Sequence, residues 1–469
     1  MIYRDHREWI SALEASGELL RLKKEISLEP DVGAIGRAVA DIHGPGVLAE
    51  KIYGYREAKL SIFLHGTLQR VSMAMGLSKH ATPKEQKEAW WRAHDRYPVK
   101  PKMVGKNAAV CKENILHGDE INLYKFPIPR LNTNDASHYI TKTLCITRDP
   151  DSDWVSFGMY RLMVLDRAKT SILTSHTSHW GQHYAKARRQ GKPLEMTVAL
   201  GTAPILPIVS STKVPGGWNE FDFAGALAGE SVEVTMAESV DLPVPATAEI
   251  VLEGVLNHDA EVLEGPFGEF PGAYSATFYH MPVFQIKTIT HRNNPIFDTV
   301  YVGRGRTHFV ATIPKCAALD KELKHSCASV IQVAYLEPTH HNCVIQGKWL
   351  NKTEPRRVMN AVWASEANPQ SKMVTIVDED IDPWNAEEVM WAIATRCQAN
   401  TDIVMIPGTH CRLDPSAEID GTTCLLGIDA TKSMEPHPRH IMSEWITPRK
   451  ETEAWKEKII GLMKESAPQ

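Results

Sequence analysis

The chain has 469 residues, 43% hydrophobic and 23% charged, with a formal net charge of -5. That length exceeds one ordinary core and predicts two to three domains, at roughly 100–200 residues each. The composition is that of a folded globular protein, and the mildly acidic balance excludes the basic footprint of a nucleic-acid binder.

From the start, Asp5 as a cap, Glu8 three residues later, and Trp9, Ile10 and Leu13 on one face predict a helix that stops at Gly17. Charges interrupt Met1–Asp5 at once, so it does not read as a signal peptide. Further helices are predicted over Val32–Ile42 and Pro83–His94, with short strands between them. The stretch from about 110 to 310 alternates β-rich runs with Pro and Gly turns: Tyr139–Ile146, Tyr160–Asp166, Glu249–Leu256 and Val283–Ile289. Such spacing predicts a small barrel or sandwich, interrupted by helical pattern at Trp180–Gln190 and Phe221–Ala228. The uncharged stretch Thr197–Thr212 is broken by Pro204 and Pro207 and is too short to span a bilayer.

From about 315 the grammar is βαβ: helix Ala317–His325, strand Met373–Val377, helix Asn385–Arg396, strand Ile403–Ile406. The terminal segment Glu451–Lys464 carries Trp455, Ile459, Ile460 and Met463 on one side, a face that its own body or a partner subunit must cover. The eight cysteines, Cys111, Cys145, Cys316, Cys327, Cys343, Cys397, Cys411 and Cys424, form no Cys-x-x-Cys pair. Reduced thiols in a cytoplasmic protein, without membrane or nucleic-acid partner, are expected.

Several residues could carry chemistry. Glu264 and Glu269 flank Gly-Pro-Phe-Gly, a turn that could aim both at one cleft. Two carboxylates in one site push each other's pKa apart, giving a proton donor and a charged partner. A solvated acidic loop fits these residues alone equally well. Arg161, inside an apolar run, is costly unless paired with a carboxylate or an anionic ligand. His179 and His183 share a helical i, i+4 spacing, with His176 nearby, but no HExxH pattern accompanies them. Ser210 and Ser211, before Lys213 and Gly216-Gly217, could offer donors to a phosphate. Gly303-Arg304-Gly305-Arg306 lacks the third glycine of a dinucleotide fingerprint, and His340-His341-Asn342-Cys343 reads as loop.

Together these pieces resemble the UbiD family of decarboxylases that use prenylated FMN. The most specific stretch is Glu264-Gly265-Pro266-Phe267-Gly268-Glu269 followed by Gly272 and Tyr274. Phe221–Leu227, Val244–Glu249, Trp391–Arg396 and Gly427–Thr431 match in the same order. The resemblance implies a multi-domain α+β and α/β fold. Its parts are an N-terminal α/β domain (1–108), a central flavin-binding split β-barrel (109–312), a C-terminal α/β domain (313–445) and a terminal oligomerisation helix (446–469). A homodimer or a dimer-based hexamer is expected.

The same resemblance assigns roles residue by residue. Arg161, Glu264 and Glu269 are the implied catalytic group, with Glu269 as proton donor. Ser156, His179 and Glu220 fall on the ligands of a divalent metal, usually manganese, that bridges protein and flavin phosphate; a potassium ion is a further implied cation. Ser156 stands where the family has Asn, a poorer ligand in place of an amide oxygen. Gly158, Met159, Tyr160, Ser210 and Ser211 line the implied flavin site. Leu425 stands where many members carry a phosphate-binding lysine.

His308 and Lys348 match pocket residues of protocatechuate-type enzymes, where they could polarise a ring hydroxyl. The implied reaction is reversible, non-oxidative decarboxylation of an aromatic acid, hydroxyaryl or heteroaryl, through a covalent adduct with prenylated FMN. Cinnamate-type and polycyclic aryl acids are alternatives. A flavin prenyltransferase would supply the cofactor, and carbon dioxide is the co-product. Two other classes stay open: a flavin-dependent oxidoreductase and a non-catalytic subunit of a decarboxylase complex.

Overall fold

A computed structural model describes residues 3–173, 177–274, 279–302, 309–336, 340–367, 370–411, 413–432, 434 and 449–465. The chain divides into a compact unit, Met1–Ala430, and a second unit, Thr431–Gln469.

The first helix, His6–Ala15, is capped by Asp5, whose side chain accepts the Glu8 amide, and buries Trp9, Ile10 and Leu13. Behind it stands a four-stranded sheet in the order Leu19–Leu22, Gly46–Ala49, Lys59–Ile62 and Ile296–Thr299. The last of these comes from far along the chain and pairs in parallel with Lys59–Ile62. The boundary expected at 108 is therefore crossed by a returning strand. One apolar core runs through both regions, joining Val47, Leu60 and Ile62 to Ile140, Val198, Leu252 and Phe284.

The central sheet has nine strands, all antiparallel. Its main path begins at Tyr139–Ile140, passes through Leu162–Asp166, Lys169–Ile172, Tyr279–His291, Ile250–Glu264, Leu194–Leu200 and Leu144–Arg148, and ends at Val155–Gly158. No pair closes this path among the described residues. Two strand expectations shift in ways that matter for the site. Tyr160–Asp166 begins only at Leu162, which leaves Arg161 in the bend between two strands. Glu249–Leu256 continues to Glu264: pairing lapses after Leu256 and resumes at Glu261 opposite Pro282. Such an irregularity bends a strand and re-aims its end.

The C-terminal region is a five-stranded sheet, parallel inside and antiparallel at both edges, in the order Val330–Leu336, Asn342–Gly347, Met373–Asp378, Thr423–Asp429 and Ile403–Thr409. Its core holds Leu319, Val333, Ile345, Val358 and Ile376. The helix Phe309–Ser326 starts earlier than its periodicity suggested and runs through Pro314. It meets the helix Pro83–Arg96 through a buried ion pair, Lys87 Nζ to Asp320 Oδ2 at 2.7 Å, and through Trp91, whose indole N–H donates to Ala317 O at 3.0 Å. Among the described residues the cysteines form no disulfide, and Cys397 and Cys424 reach the surface. Among the described residues no helix is long and apolar enough to cross a membrane. In the second unit the helix Arg449–Glu465 exposes Trp455, Ile459, Ile460 and Leu462 in the single chain.

Candidate active site

Arg161 occupies the bend after the strand Val155–Gly158. The Thr143 hydroxyl fixes the residue before it, accepting the Tyr160 amide at 3.1 Å and donating to the Tyr160 carbonyl at 2.5 Å. Glu264 ends the long strand, and the chain then turns sharply at Gly265, whose φ of 93° is a conformation that side-chain-bearing residues avoid. This turn returns Glu269 to the same guanidinium. Arg161 Nε donates to Glu264 Oε1 at 2.9 Å and Nη2 to Glu264 Oε2 at 2.8 Å, while Nη1 meets Glu269 Oε1. The Phe267 ring lies 4.6 Å from the guanidinium carbon, and the Tyr139 ring packs 4.5 Å from Phe267.

All three polar side chains are buried. A two-pronged Arg–carboxylate fork is the arrangement that holds such charges out of water. The two acids are unequal: Glu264 is fully enclosed and bound through both oxygens, whereas Glu269 is bound through one and is slightly open. Burial, and next the Glu264 charge, push the Tyr139 phenol well above its ordinary value, so it stays protonated beside the pair.

A second polar group forms where one strand and two helix starts converge. Ser156 belongs to the strand Val155–Gly158. His179 opens a helix capped by Ser178, and Glu220 opens a helix capped by Asn219. Ser156 Oγ lies 2.9 Å from Glu220 Oε1 and 3.1 Å from His179 Nδ1, which is 3.3 Å from the same carboxylate oxygen. The Phe157 amide donates to Glu220 Oε2 at 3.0 Å. Burial pushes the Glu220 carboxyl above its usual range, with the His179 contact opposing it. His179 Nε2 is buried with no hydrogen-bond partner. Among the described residues no three His, Cys, Asp or Glu side chains converge as a metal site. The donor set here is two such ligands plus a hydroxyl. The oxygens of Ser156 and Glu220 with His179 Nδ1 form an oxygen–nitrogen–oxygen set, donor types that suit a divalent cation of intermediate hardness; the orphaned Nε2 is the ring's other nitrogen and lies outside this set.

The expected flavin-lining residues lie next to this group. The Met159 amide donates to Ser210 O at 2.9 Å, joining the Arg161 bend to the end of the helix Ile205–Ser210. The Ser210 hydroxyl donates to Pro207 O at 3.0 Å, and that of Ser211 to Ile208 O at 2.8 Å and Val310 O at 3.1 Å. At Gly158 an added Cβ would come within 2.7 Å of the Tyr160 ring, so Tyr160 can fold over this strand only because the side chain is absent.

Other expected residues fall elsewhere. His308, His176 and the stretch Gly303–Arg306 lie outside the described residues. Lys348 is 73% exposed, with Nζ 3.7 Å from Glu379 Oε1. His183 bonds Thr147 at 2.9 Å, and burial lowers its ring to about 4, which suits a neutral structural imidazole. Leu425 is buried in the strand Thr423–Asp429.

Three neighbours of the acid loop were given no role from the sequence. His340 is buried against the Thr312 hydroxyl at 2.7 Å, and the His341 ring stacks at 6.3 Å on Phe270, the residue after Glu269. Asp135 takes the Gly268 amide at 2.8 Å. The signal for Asp135 was the run Asn132-Thr133-Asn134-Asp135, a composition that closes Asx turns ahead of a strand.

Three family models cover most of the chain. The N-terminal, Rift-related and C-terminal domains of 3-octaprenyl-4-hydroxybenzoate carboxy-lyase match residues 10–90, 102–305 and 308–430. The chain is 35% identical to the phenolic acid decarboxylase of Sedimentibacter hydroxybenzoicus over 478 aligned residues, covering 99% of this chain and 98% of the relative. It is 33% identical to the phenolic acid decarboxylase of Bacillus subtilis, covering 99% and 100%.

Among solved structures, vanillic acid decarboxylase of S. hydroxybenzoicus in its closed form aligns with a TM-score of 0.86 at 34% identity, over 99% of this chain and 100% of that one. HmfF of Pelotomaculum thermopropionicum, a UbiD-class enzyme in complex with FMN, aligns with a TM-score of 0.87 at 31% identity, over 95% and 98%. With matches along its whole length, the chain belongs to the UbiD family of carboxy-lyases.

Proposed function

We propose that this protein catalyses the reversible, non-oxidative decarboxylation of a hydroxyaryl or related aromatic carboxylic acid, using prenylated FMN. The observation that carries the reading is the buried convergence of Arg161 with Glu264 and Glu269. The phenolic acid decarboxylases it resembles support the substrate class, and the HmfF structure in complex with prFMN, 29% identical with a TM-score of 0.83, supports the cofactor.

Ser156, His179 and Glu220 would hold manganese or another divalent ion against the flavin phosphate. Gly158, Met159, Tyr160, Ser210 and Ser211 would line the flavin, on a central sheet that we take as the family's split barrel. When bound, prenylated FMN supplies an electrophilic carbon and an electron sink for the departing carbon dioxide.

The chain's own residues do the rest. Arg161, whose Nε–Nη2 edge is held by Glu264, would meet the substrate carboxylate with the N–H donors of its Nη atoms. Glu264 balances its charge and keeps the fork aimed. The burial of the group excludes water, which strengthens each of these contacts. Once carbon dioxide has left, Glu269 delivers its proton to the substrate carbon; its single-oxygen contact with Arg161 leaves the other oxygen for that task. His308 is the proposed reader of a ring hydroxyl. Lys348, exposed beside Glu379, is left out of that role. A second copy of the chain would cover the exposed face of the terminal helix.

The test is a screen for carbon dioxide release by protein reconstituted with prenylated FMN and manganese. Hydroxyaryl, heteroaryl and cinnamate-type acids are each supplied as substrate. Release from a hydroxyaryl acid is expected. No release from any acid, together with nicotinamide-dependent flavin reduction, would replace the reading with an oxidoreductase.

A further inference from the structure

The segment Arg130–Ala136 has no part in the reaction described above, yet it brackets the loop that carries both acids. Asp135 is 1% exposed. Its Oδ1 accepts the Gly268 amide at 2.8 Å. Its Oδ2 accepts the Asn132 amide at 2.9 Å, the Leu131 amide at 3.3 Å and the Asn132 side-chain N–H at 3.4 Å. On either side of this anchor the Ala136 amide donates to Pro266 O at 2.9 Å, and the Asn134 amide to the Tyr274 hydroxyl at 3.0 Å. Tyr274 in turn bridges Gly268. Arg130 closes the segment on itself by donating to Asp135 O at 2.9 Å.

The chemistry of this contact calls for a carboxylate. One oxygen serves the acid loop while the other serves the turn Leu131–Asn132. An amide has only one acceptor atom and cannot serve both. Burial pushes the Asp135 carboxyl above its usual range, and the Gly268 amide is the foremost contact opposing that. The side chain that this anchor controls most directly is the next one along, Glu269. A reacting group displaced by about 1 Å can lose about 100-fold in rate.

We infer that Asp135 is a positioning residue for Glu269: through the Gly268 amide it sets where the Glu269 carboxyl points, and so the rate of proton delivery to the substrate carbon. The inference rests on the assignment of Glu269 as proton donor.

The test compares wild type, Asp135→Asn and Glu269→Gln as reconstituted holoenzymes. It reads kcat, KM, the pH profile, the melting temperature and the exchange of the product's ring proton with solvent deuterium. That exchange is the reverse of protonation: Glu269 takes the proton from carbon and returns a deuteron. For Asp135→Asn the expected result is a KM within about twofold of wild type, with kcat and exchange falling together by about 10–100-fold. The pH-profile limb that Glu269→Gln abolishes should move. Wild-type kcat and exchange in Asp135→Asn, with Glu269→Gln inactive, would overturn this inference alone. So would a loss explained wholly by the unfolded fraction. Exchange retained by Glu269→Gln would instead overturn the proton-donor assignment, and this inference with it. If Asp135→Asn does not fold, Asp135→Glu keeps both acceptors and moves the anchor by one methylene. It should lose kcat at constant KM, and wild-type kcat in it would overturn the inference.

Discussion

Arg161 and Glu264 are joined by two parallel N–H···O bonds of 2.9 and 2.8 Å, with both side chains buried, Glu264 at the end of the long strand and Arg161 in the bend between two others. Taking away one member of such a pair leaves the other charged and out of water. Arg161→Ala should therefore cost about 3–5 kcal/mol in denaturant unfolding. Arg161→Lys keeps the charge but cannot form the fork, so it should cost less while losing turnover as fully. Equal stability of Arg161→Ala and wild type would mean that the pair is not enclosed as described.

Gly268 offers a second handle on the same loop. A Cβ at this position would stand 2.3 Å from the Asn132 side-chain nitrogen, which itself reaches Val302 O at 3.3 Å. Gly268→Ala must push Asn132 aside. We expect a loss of about 1–3 kcal/mol, the usual cost of overpacking. Asn132→Ala/Gly268→Ala, which removes the obstructing atoms, should recover part of it in thermal melts.

Ser156 is a test of metal binding by repair. The hydroxyl stands 2.9 Å from Glu220 and 3.1 Å from His179, where an amide oxygen would be the better ligand. Ser156→Asn should tighten manganese binding in an EPR titration. Glu220→Gln, which removes the only carboxylate of the set, should weaken it about tenfold or more. Unchanged affinity in Glu220→Gln would place the metal elsewhere.

The N-terminal region should respond to acid. Burial holds the imidazoles of both His6 and His65 below the ordinary value of 6.5, His65 well below it. The folded state keeps them neutral, while the unfolded chain takes up protons as the pH falls through 6.5. Stability is therefore full above that value and declines as the pH drops below it, toward the depressed folded-state values. Asp298, 2.7 Å from Lys142 Nζ, is lowered from 3.8 and acts only at more acid pH. Urea unfolding at pH 7.5 and 5.0 should show the loss, and His65→Gln should reduce it. A flat profile would contradict the buried, neutral assignment.

The elements legible in the sequence were those with strong local signals. Asp5 and the spacing of Trp9, Ile10 and Leu13 located the first helix, and the helix expected over Pro83–His94 runs to Arg96 behind a Thr82–Glu85 capping box. The acid pair and Arg161 were found from residue chemistry and family resemblance together. What local pattern hides is set by contacts distant in sequence. Ile296–Thr299 joins the N-terminal sheet because its partner, Lys59–Ile62, lies more than two hundred residues earlier. The extension of the long strand to Glu264 depends on pairing with Tyr279–Pro282 across an irregularity. Asp135 carries no functional signature of its own; its meaning comes from the Gly268 amide that folding brings to it. Lys348, a pocket residue by resemblance, is exposed beside Glu379 in the single chain.

The most direct test of the proposed chemistry is carbon dioxide counted per active site, from wild-type and Glu269→Gln holoenzyme supplied with a hydroxyaryl acid that the wild type turns over. If Glu269 is the proton donor, the wild type releases many equivalents, while the variant releases at most about one and then turns over at least about 100-fold more slowly. Sustained release by Glu269→Gln at the wild-type rate would contradict the assignment.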